Sequence, residues 1–291
     1  MSWLLSFSAA ALPLCIVAFM VGNLAAIGLE LDFRAALAPL GNLRFVVVVM
    51  LLDWVLGPAF AWGLARAMPM AEPYALGLDL IGLAPAAPFL PLMVRRAGGD
   101  LAYAACFMLI AAVGTVIFMP IALPILEPGL AVSAWTVAKP LLLFLLLPLL
   151  AGLAFKATAP MLADRLHWLV KRLADLATVA MLAGIVILYW RGFVEAVGSY
   201  AIASQLIYAA GATVGSYLLS RGLKPEQRSV LSLGACTRNL GAALAPLLAV
   251  TSDPRTTVMI ALGVPITLVV TAVAARWFQK QAADATPHAL P

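Results

Sequence analysis

Charged residues are scarce in this chain of 291 residues: they make up 11% of it, whereas soluble globular domains average about 25%. Hydrophobic residues make up 64%, and the mean hydropathy is +1.05. This composition excludes a sizeable soluble domain. Because a membrane-spanning helix needs about 20 apolar residues, the length accommodates about nine or ten such helices. The sequence therefore predicts an all-α polytopic membrane protein.

Residues that serve metal binding, disulfide bonding and covalent catalysis are also few. Cys15, Cys106 and Cys236 all lie in apolar segments, which favours small core residues over a disulfide framework. Neither His167 nor His288 lies deep in a span beside a candidate nucleophile. The HExxH and GxSxG motifs are absent from the sequence. We therefore predict no metal site, no cofactor and no enzymatic activity.

Long apolar runs, by contrast, are abundant, and turn residues separate them. They define nine candidate helices, approximately at 5–30, 43–68, 74–95, 101–126, 134–156, 167–190, 197–220, 228–250 and 256–278. The first run lacks the basic start and the short core of a signal peptide, so we expect a retained span. Residues 1–278 are predicted to form a single transmembrane domain, and residues 279–291 a disordered tail that contains His288.

Basic residues are distributed unevenly over the predicted loops. Thirteen lie in the tail and in the connections after helices one, three, five and seven. Only Arg66, Arg191 and Arg255 lie in the opposite loops, while Lys139 and Arg238 lie within spans. By the positive-inside rule, we expect an outside N-terminus and a cytoplasmic C-terminus in a bacterial inner membrane. The basic residues are scattered singly, so the net charge of +5 does not indicate a partner nucleic acid.

Three charged residues, Asp53, Asp79 and Arg238, lie inside otherwise apolar spans. A charge near the bilayer centre costs about 2.5–3.5 kcal/mol on insertion scales, so such residues face a partner or a water-filled path. This favours a transporter over a membrane anchor. For Asp79, three roles stay open: shaping an entrance, a second protonation site, or a structural hydrogen bond to a helix end.

Two segments, GLDLIGLAPAAPFLP and LGACTRNLGAALAP, are poor candidates for continuous helices because proline and glycine interrupt them. A pair of interrupted spans is typical of inverted-repeat transporters, in which the opened backbone lines a midplane cavity. Half-helix N-termini there favour an anion. Ordinary proline kinks are the alternative, but they leave the nearby charges unexplained. The predicted substrate-binding residues are Pro85, Ala87, Pro88, Phe89, Thr237, Arg238 and Asn239.

At these segments the chain resembles the bile acid:sodium symporter family. The run from GLDLIGLAPAAPFLP to MPIALPIL is similar to the family's first crossing helix and its successor. EQRSVLSLGACTRNLGAALAPLLAV is similar to the second crossing helix, with Asn239 at the characteristic asparagine. GLELDF and WVLGPAFAW extend the resemblance over nearly the whole chain. It implies an inverted repeat with the first family helix missing, a core at about 43–126 and 197–278, and a panel at about 5–30 and 134–190.

The chain departs from the family pattern at the sodium sites. The resemblance implies that residues without side-chain oxygens replace one set of sodium ligands, namely Leu90, Pro91, Ala104 and Met108. A shared glutamate corresponds to Gly234 or its neighbour, and two glutamines correspond to Asp53 and Arg238. We hypothesise that the Arg238 guanidinium takes the volume of a sodium ion, with Asp53 as its counter-charge. Asp53 is then either a permanent salt-bridge partner or a carboxylate that binds and releases a proton during transport.

Together these patterns predict a secondary active or facilitative transporter of a small or amphipathic organic anion that works by alternating access. It is not expected to couple to sodium through the usual sites. The alternatives are a proton symporter that uses Asp53, and a non-transporting membrane sensor of the same fold. The expected partners are the anion and the lipid bilayer.

Overall fold

The computed structural model describes residues 2–130, 132–248 and 253–285. Over these ranges the chain is helical, and its only β contact is an isolated bridge. The helices are α1 Ser2–Glu30, α2 Phe33–Leu37, α3 Leu43–Ala67, α4 Glu72–Gly82, α5 Leu90–Arg96, α6 Leu101–Leu126, α7 Ala134–Thr158, α8 Pro160–Ala196, α9 Ala201–Leu219, α10 Pro225–Cys236, α11 Leu240–Leu244 and α12 Pro254–Ala285. The predicted all-α architecture is confirmed.

Seven of these helices, α1, α3, α6, α7, α8, α9 and α12, are long and apolar enough to span a membrane. The other two predicted spans are interrupted, each forming two shorter helices: α4 and α5, and α10 and α11. The last helix continues to Ala285. The prediction that it ends at 278 and that a disordered tail begins at 279 is therefore wrong for residues 279–285. The remainder of that tail, including His288, lies outside the described residues.

Proline reshapes two of the long helices without breaking them. Helices α3 and α7 each contain a π turn, at Leu52–Leu56 and Leu142–Leu146. Each turn ends two residues before a proline, Pro58 or Pro148. A proline has no amide hydrogen and its ring crowds the carbonyl of the preceding turn, and a locally widened helix relieves this conflict. The π turn of α3 contains Asp53, which is thereby placed in the interior.

Helices α1, α7 and α8 pack mainly against one another. The backbones of α1 and α7 approach closely at Gly28 and Gly152: a Cβ added to Gly28 would lie 2.9 Å from the Gly152 Cα. The interrupted helix α4 packs between α3 and α12, and α10 packs against α9. Helices α8 and α12 pack against each other, and this contact connects the group of α1, α7 and α8 with the remaining helices.

The loops that carry most basic residues meet at one end of the bundle, here called the basic end. There the Glu30 carboxylate lies 3.6 Å from His167 and 4.0 Å from Arg95, and Arg44 donates to the Arg221 carbonyl. At the opposite end, the Tyr74 hydroxyl donates to the Gly192 carbonyl at 2.9 Å. These contacts lie at opposite ends of the bundle, so the two sets of loops are separated in the structure.

Candidate functional site

The two helix interruptions meet in the interior and bond to each other. The Ala86 amide donates to the Thr237 carbonyl at 3.1 Å, and the Asn239 amide donates to the Ala84 carbonyl at 2.8 Å. Unpaired backbone groups cost several kcal/mol at membrane depth, and these bonds satisfy four of them. Ala86 has a φ of 60°, a left-handed conformation that non-glycine residues rarely adopt. The hydrogen bonds between the two interruptions therefore stabilise a strained backbone conformation at Ala86.

A cavity of about 370 Å³, here called the crossing cavity, opens beside this point. Helices α1 and α8 form one wall, and residues of α4, α5, α11 and α12 with both interruptions form the other. Its volume is in the range of small-molecule sites, roughly 300–1,000 Å³. The mouth lies at the basic end and is lined by polar and charged side chains: Glu30, Arg95, His167, Lys171 and Asp175.

Five of the predicted substrate-binding residues line this cavity: Ala87, Pro88, Phe89, Arg238 and Asn239. Thr237 does not line it, because its side chain is fully buried and its hydroxyl donates to the Gly234 carbonyl at 3.1 Å. Pro85 lies in the bridge behind the cavity, opposite Arg238 along the backbone. Phe19 and Leu182 add apolar surface from the α1 and α8 wall.

The proline-rich interruption offers fewer amide donors than the sequence suggested. Pro88 and Pro91 have no amide hydrogen, and the Leu90 amide already donates to the Ala87 carbonyl at 3.0 Å. Polar groups come instead from the second interruption. The Asn239 Oδ1 accepts from the Ala242 amide at 3.1 Å and caps α11, while the Asn239 Nδ2 makes no hydrogen bond within the described chain.

Arg238 is 7% exposed, and its guanidinium lies among backbone carbonyls rather than carboxylates. Its Nη2 donates to the Ala235 carbonyl at 2.7 Å, and its Nη1 to the Gly82 carbonyl at 3.4 Å. The guanidinium carbon lies 5.2 Å from the centre of the Tyr208 ring, within cation–π range. A Cβ at Gly57 would lie 2.9 Å from Nη2, so this glycine makes room for the cation.

Asp53 is fully buried, and neither carboxylate oxygen has a hydrogen-bond partner among the described residues. The salt bridge predicted between Asp53 and Arg238 is not formed, because no nitrogen–oxygen distance within 4.0 Å joins them. The Arg238 guanidinium nevertheless lies beside Gly57, which directly follows the π turn that contains Asp53. The Tyr208 hydroxyl, which is also buried without a partner, is near both charges. The sequence analysis did not predict a role for Tyr208. The only feature that could have indicated one is its polar hydroxyl in a span made largely of small residues.

Asp79 does not reach the crossing cavity and belongs to a separate ion network. Its fully buried carboxylate pairs with Arg66, which also donates to Glu127 at 2.5 Å. Arg66 covers the Trp62 ring, 4.8 Å from its centre. Since the sequence assigned Arg66 to a loop, this partner of Asp79 was missed. The contacts give Asp79 a partner in the Arg66 side chain, in place of the helix end that a structural role predicted; the entrance and protonation roles stay predictions.

Comparison with known protein families gives a match to the sodium bile acid symporter family over residues 14–197. A search among curated proteins finds no match to the chain. The matched part contains the first interruption and ends before the second, so Arg238 lies outside it. Because the match covers more than half of the sequence, the chain belongs to the sodium bile acid symporter family, a family of membrane transporters.

Proposed function

We propose that the protein is a secondary transporter that moves a small or amphipathic organic anion by alternating access. The observation that carries this proposal is the crossing cavity, because it places a buried cation, Arg238, beside the apolar side chains of Phe19 and Phe89. A buried positive charge attracts an anionic group, since the surrounding low dielectric strengthens the interaction. The apolar wall would accommodate the carbon skeleton of the same molecule.

The packing supports a panel and a core that move against each other. The panel consists of α1, α7 and α8, and the core of α3–α6 and α9–α12. Each half of the core contains one interrupted helix between two continuous ones, which supports an inverted repeat and nine spans in all. With the basic end in the cytoplasm, as the positive-inside rule requires, this conformation is open to the inside.

The side chains that correspond to one set of the family's sodium ligands do not fit a sodium ion. Leu90, Ala104 and Met108 are buried in the hydrophobic core, and Pro91 likewise lacks a side-chain oxygen. Sodium requires a cage of oxygen ligands. We therefore propose that Arg238 supplies a fixed positive charge and Asp53 a nearby counter-charge, so that no sodium ion is needed at this place.

Proton symport is the second candidate, and the buried Asp53 carboxylate favours it. Both carboxylate oxygens lack hydrogen-bond donors, an arrangement in which uptake of a proton would remove a buried charge that no hydrogen bond stabilises. The Asp53→Asn variant would then abolish accumulation of substrate against its gradient, while exchange of substrate across the membrane would continue. Full accumulation by Asp53→Asn would eliminate this mechanism.

The proposed function is tested by uptake into proteoliposomes that contain the full-length protein, with radiolabelled carboxylates of increasing size. We expect saturable uptake of at least one carboxylate. Arg238→Gln should abolish it, and Arg191→Gln, outside the cavity, should not. If vesicles without the protein take up every compound as fast as vesicles that contain it, transport is contradicted. Binding without uptake would indicate a sensor.

A further inference from the structure

Asn23 and Thr178 form a hydrogen-bonded pair on the α1 and α8 wall of the crossing cavity. The Asn23 Nδ2 donates to the Thr178 Oγ1 at 3.2 Å and to the Phe19 carbonyl at 3.0 Å. The Thr178 hydroxyl in turn donates to the Ala174 carbonyl at 2.7 Å. Asn23 is 5% exposed, so its amide is almost entirely inside the protein.

The hydrogen-bond donors of Asn23 and Thr178 are all used within the protein, which determines what the pair can offer a ligand. An asparagine amide has two N–H donors and one acceptor oxygen, and a threonine hydroxyl has one donor. All three donors are used within the protein. The Phe19 carbonyl can only accept, which fixes the nitrogen of Asn23 beside it. The Asn23 Oδ1 accepts no hydrogen bond from a described residue, so the pair presents acceptors alone.

The facing wall has the opposite character. There the Asn239 Oδ1 is occupied by the Ala242 amide, which leaves the Nδ2 donors of Asn239 and the guanidinium of Arg238. Thr267, also on this wall, donates its hydroxyl hydrogen to the Gly263 carbonyl at 2.7 Å, so it adds an acceptor there. The unused N–H donors of Asn239 and the positive charge therefore lie on the core wall, whereas Asn23 and Thr178 on the panel wall offer acceptors alone.

We infer that Asn23, held in place by Thr178, is a specificity-determining residue that accepts a hydrogen bond from a hydroxyl or N–H group of the bound anion. The transported anion then carries such a donor away from its acidic group. The inference rests on the proposed function and narrows its substrate class. A site built to bond a polar group discriminates against the analogue that lacks it more strongly than an apolar pocket does. An analogue that displaces water from Asn23 without replacing its bond loses affinity.

The test measures binding to the full-length protein in nanodiscs by isothermal titration calorimetry. The probes are hexanoate, its 3-, 4-, 5- and 6-hydroxy derivatives and 6-aminohexanoate, which place the donor at successive distances from the carboxylate. We expect at least one of these derivatives to bind roughly tenfold more tightly than hexanoate, the value of one hydrogen bond. Asn23→Leu should reduce this ratio to about one, whatever its effect on hexanoate itself.

Thr178→Val provides a second variant in case Asn23→Leu does not fold. It removes the hydroxyl that holds the Asn23 amide from α8, so the Asn23 Oδ1 is no longer fixed in position to accept from the ligand, and the ratio should fall. Thr271→Val is the matched control, because Thr271 is also a span threonine bonded to the carbonyl four residues before it, but it does not line the cavity. It should leave the ratio unchanged.

Two results would overturn the inference while the proposed function stands: equal binding of hexanoate and all its derivatives by wild type, or a wild-type ratio in both cavity variants. If wild type binds no carboxylate at all, the proposed function fails and this inference with it.

Discussion

Removing either charge of the Asp53 and Arg238 pair should destabilise the protein, and removing both should cost less than the sum. Arg238→Gln leaves the Asp53 carboxylate buried with neither a hydrogen bond nor a counter-charge. Loss of one partner from a buried pair typically costs about 3–5 kcal/mol. Asp53→Asn removes the buried carboxylate itself while Arg238 keeps its two carbonyl partners, so we expect a smaller cost, about 1–2 kcal/mol.

The structure sets an upper limit to the interaction between the two charges. At a separation of 4.0 Å, two unit charges attract by about 4 kcal/mol at an effective dielectric of 20. Since the two groups lie farther apart than this, we expect a coupling energy of about 1–3 kcal/mol.

The assay is denaturant unfolding of the four purified proteins in one detergent, analysed as a double-mutant cycle. A cycle of Asp53→Asn with Arg191→Gln serves as the control. Arg191 lies outside the cavity, at the end of the bundle opposite the basic end, so its removal should not couple to Asp53. Additivity of the Asp53 and Arg238 variants to within about 0.5 kcal/mol would refute the idea that the two charges act as a pair.

Three further predictions concern other parts of the bundle. Arg66→Gln should lower the midpoint of thermal unfolding by several degrees more than Arg191→Gln, because it leaves Asp79 buried and unpaired; equal midpoints would contradict the structural role of this pair. Asn239→Ala and Asn42→Ala each remove a helix N-cap and should each lower the free energy of unfolding by about 0.5–2 kcal/mol. Only Asn239→Ala should also impair uptake, since Asn239 lines the cavity and Asn42 does not. Unimpaired uptake by folded Asn239→Ala would count against the site. Asp253 lies before the span of α12, and hydrogen bonds from Arg255 hold the pKa of its carboxyl below the usual range. Its contribution to stability is therefore present above the ordinary pKa and lost as pH falls through the lowered value; Arg255→Gln should return the Asp253 pKa, followed by NMR titration, towards its ordinary value, and no change would refute the assignment.

Local chemistry explains why the helices and their two interruptions could be predicted from the sequence. Apolar runs fix the spans, and proline removes the amide that a continuous helix needs, as at Pro88 and Pro91. The separation of basic residues between the two ends follows from the same linear pattern. Ala87, Phe89 and Asn239 at the cavity follow from their positions beside the interruptions.

Side-chain partners depend on how helices rotate and pack, which the sequence does not fix. Asp53 and Arg238 are at similar predicted depths, but depth alone does not determine which way each helix face turns, and no direct salt bridge forms. Arg238 instead faces Tyr208. Asn23 and Thr178 are 155 positions apart, and neither has a local signal that predicts their contact.

The central claim, anion transport without the usual sodium coupling, is tested most directly by one measurement. Uptake of the best carboxylate substrate is followed in proteoliposomes with an inward sodium gradient and, in parallel, with sodium replaced by an organic cation at the same ionic strength and pH. The account predicts equal initial rates in the two conditions. Strict dependence of uptake on sodium would contradict it.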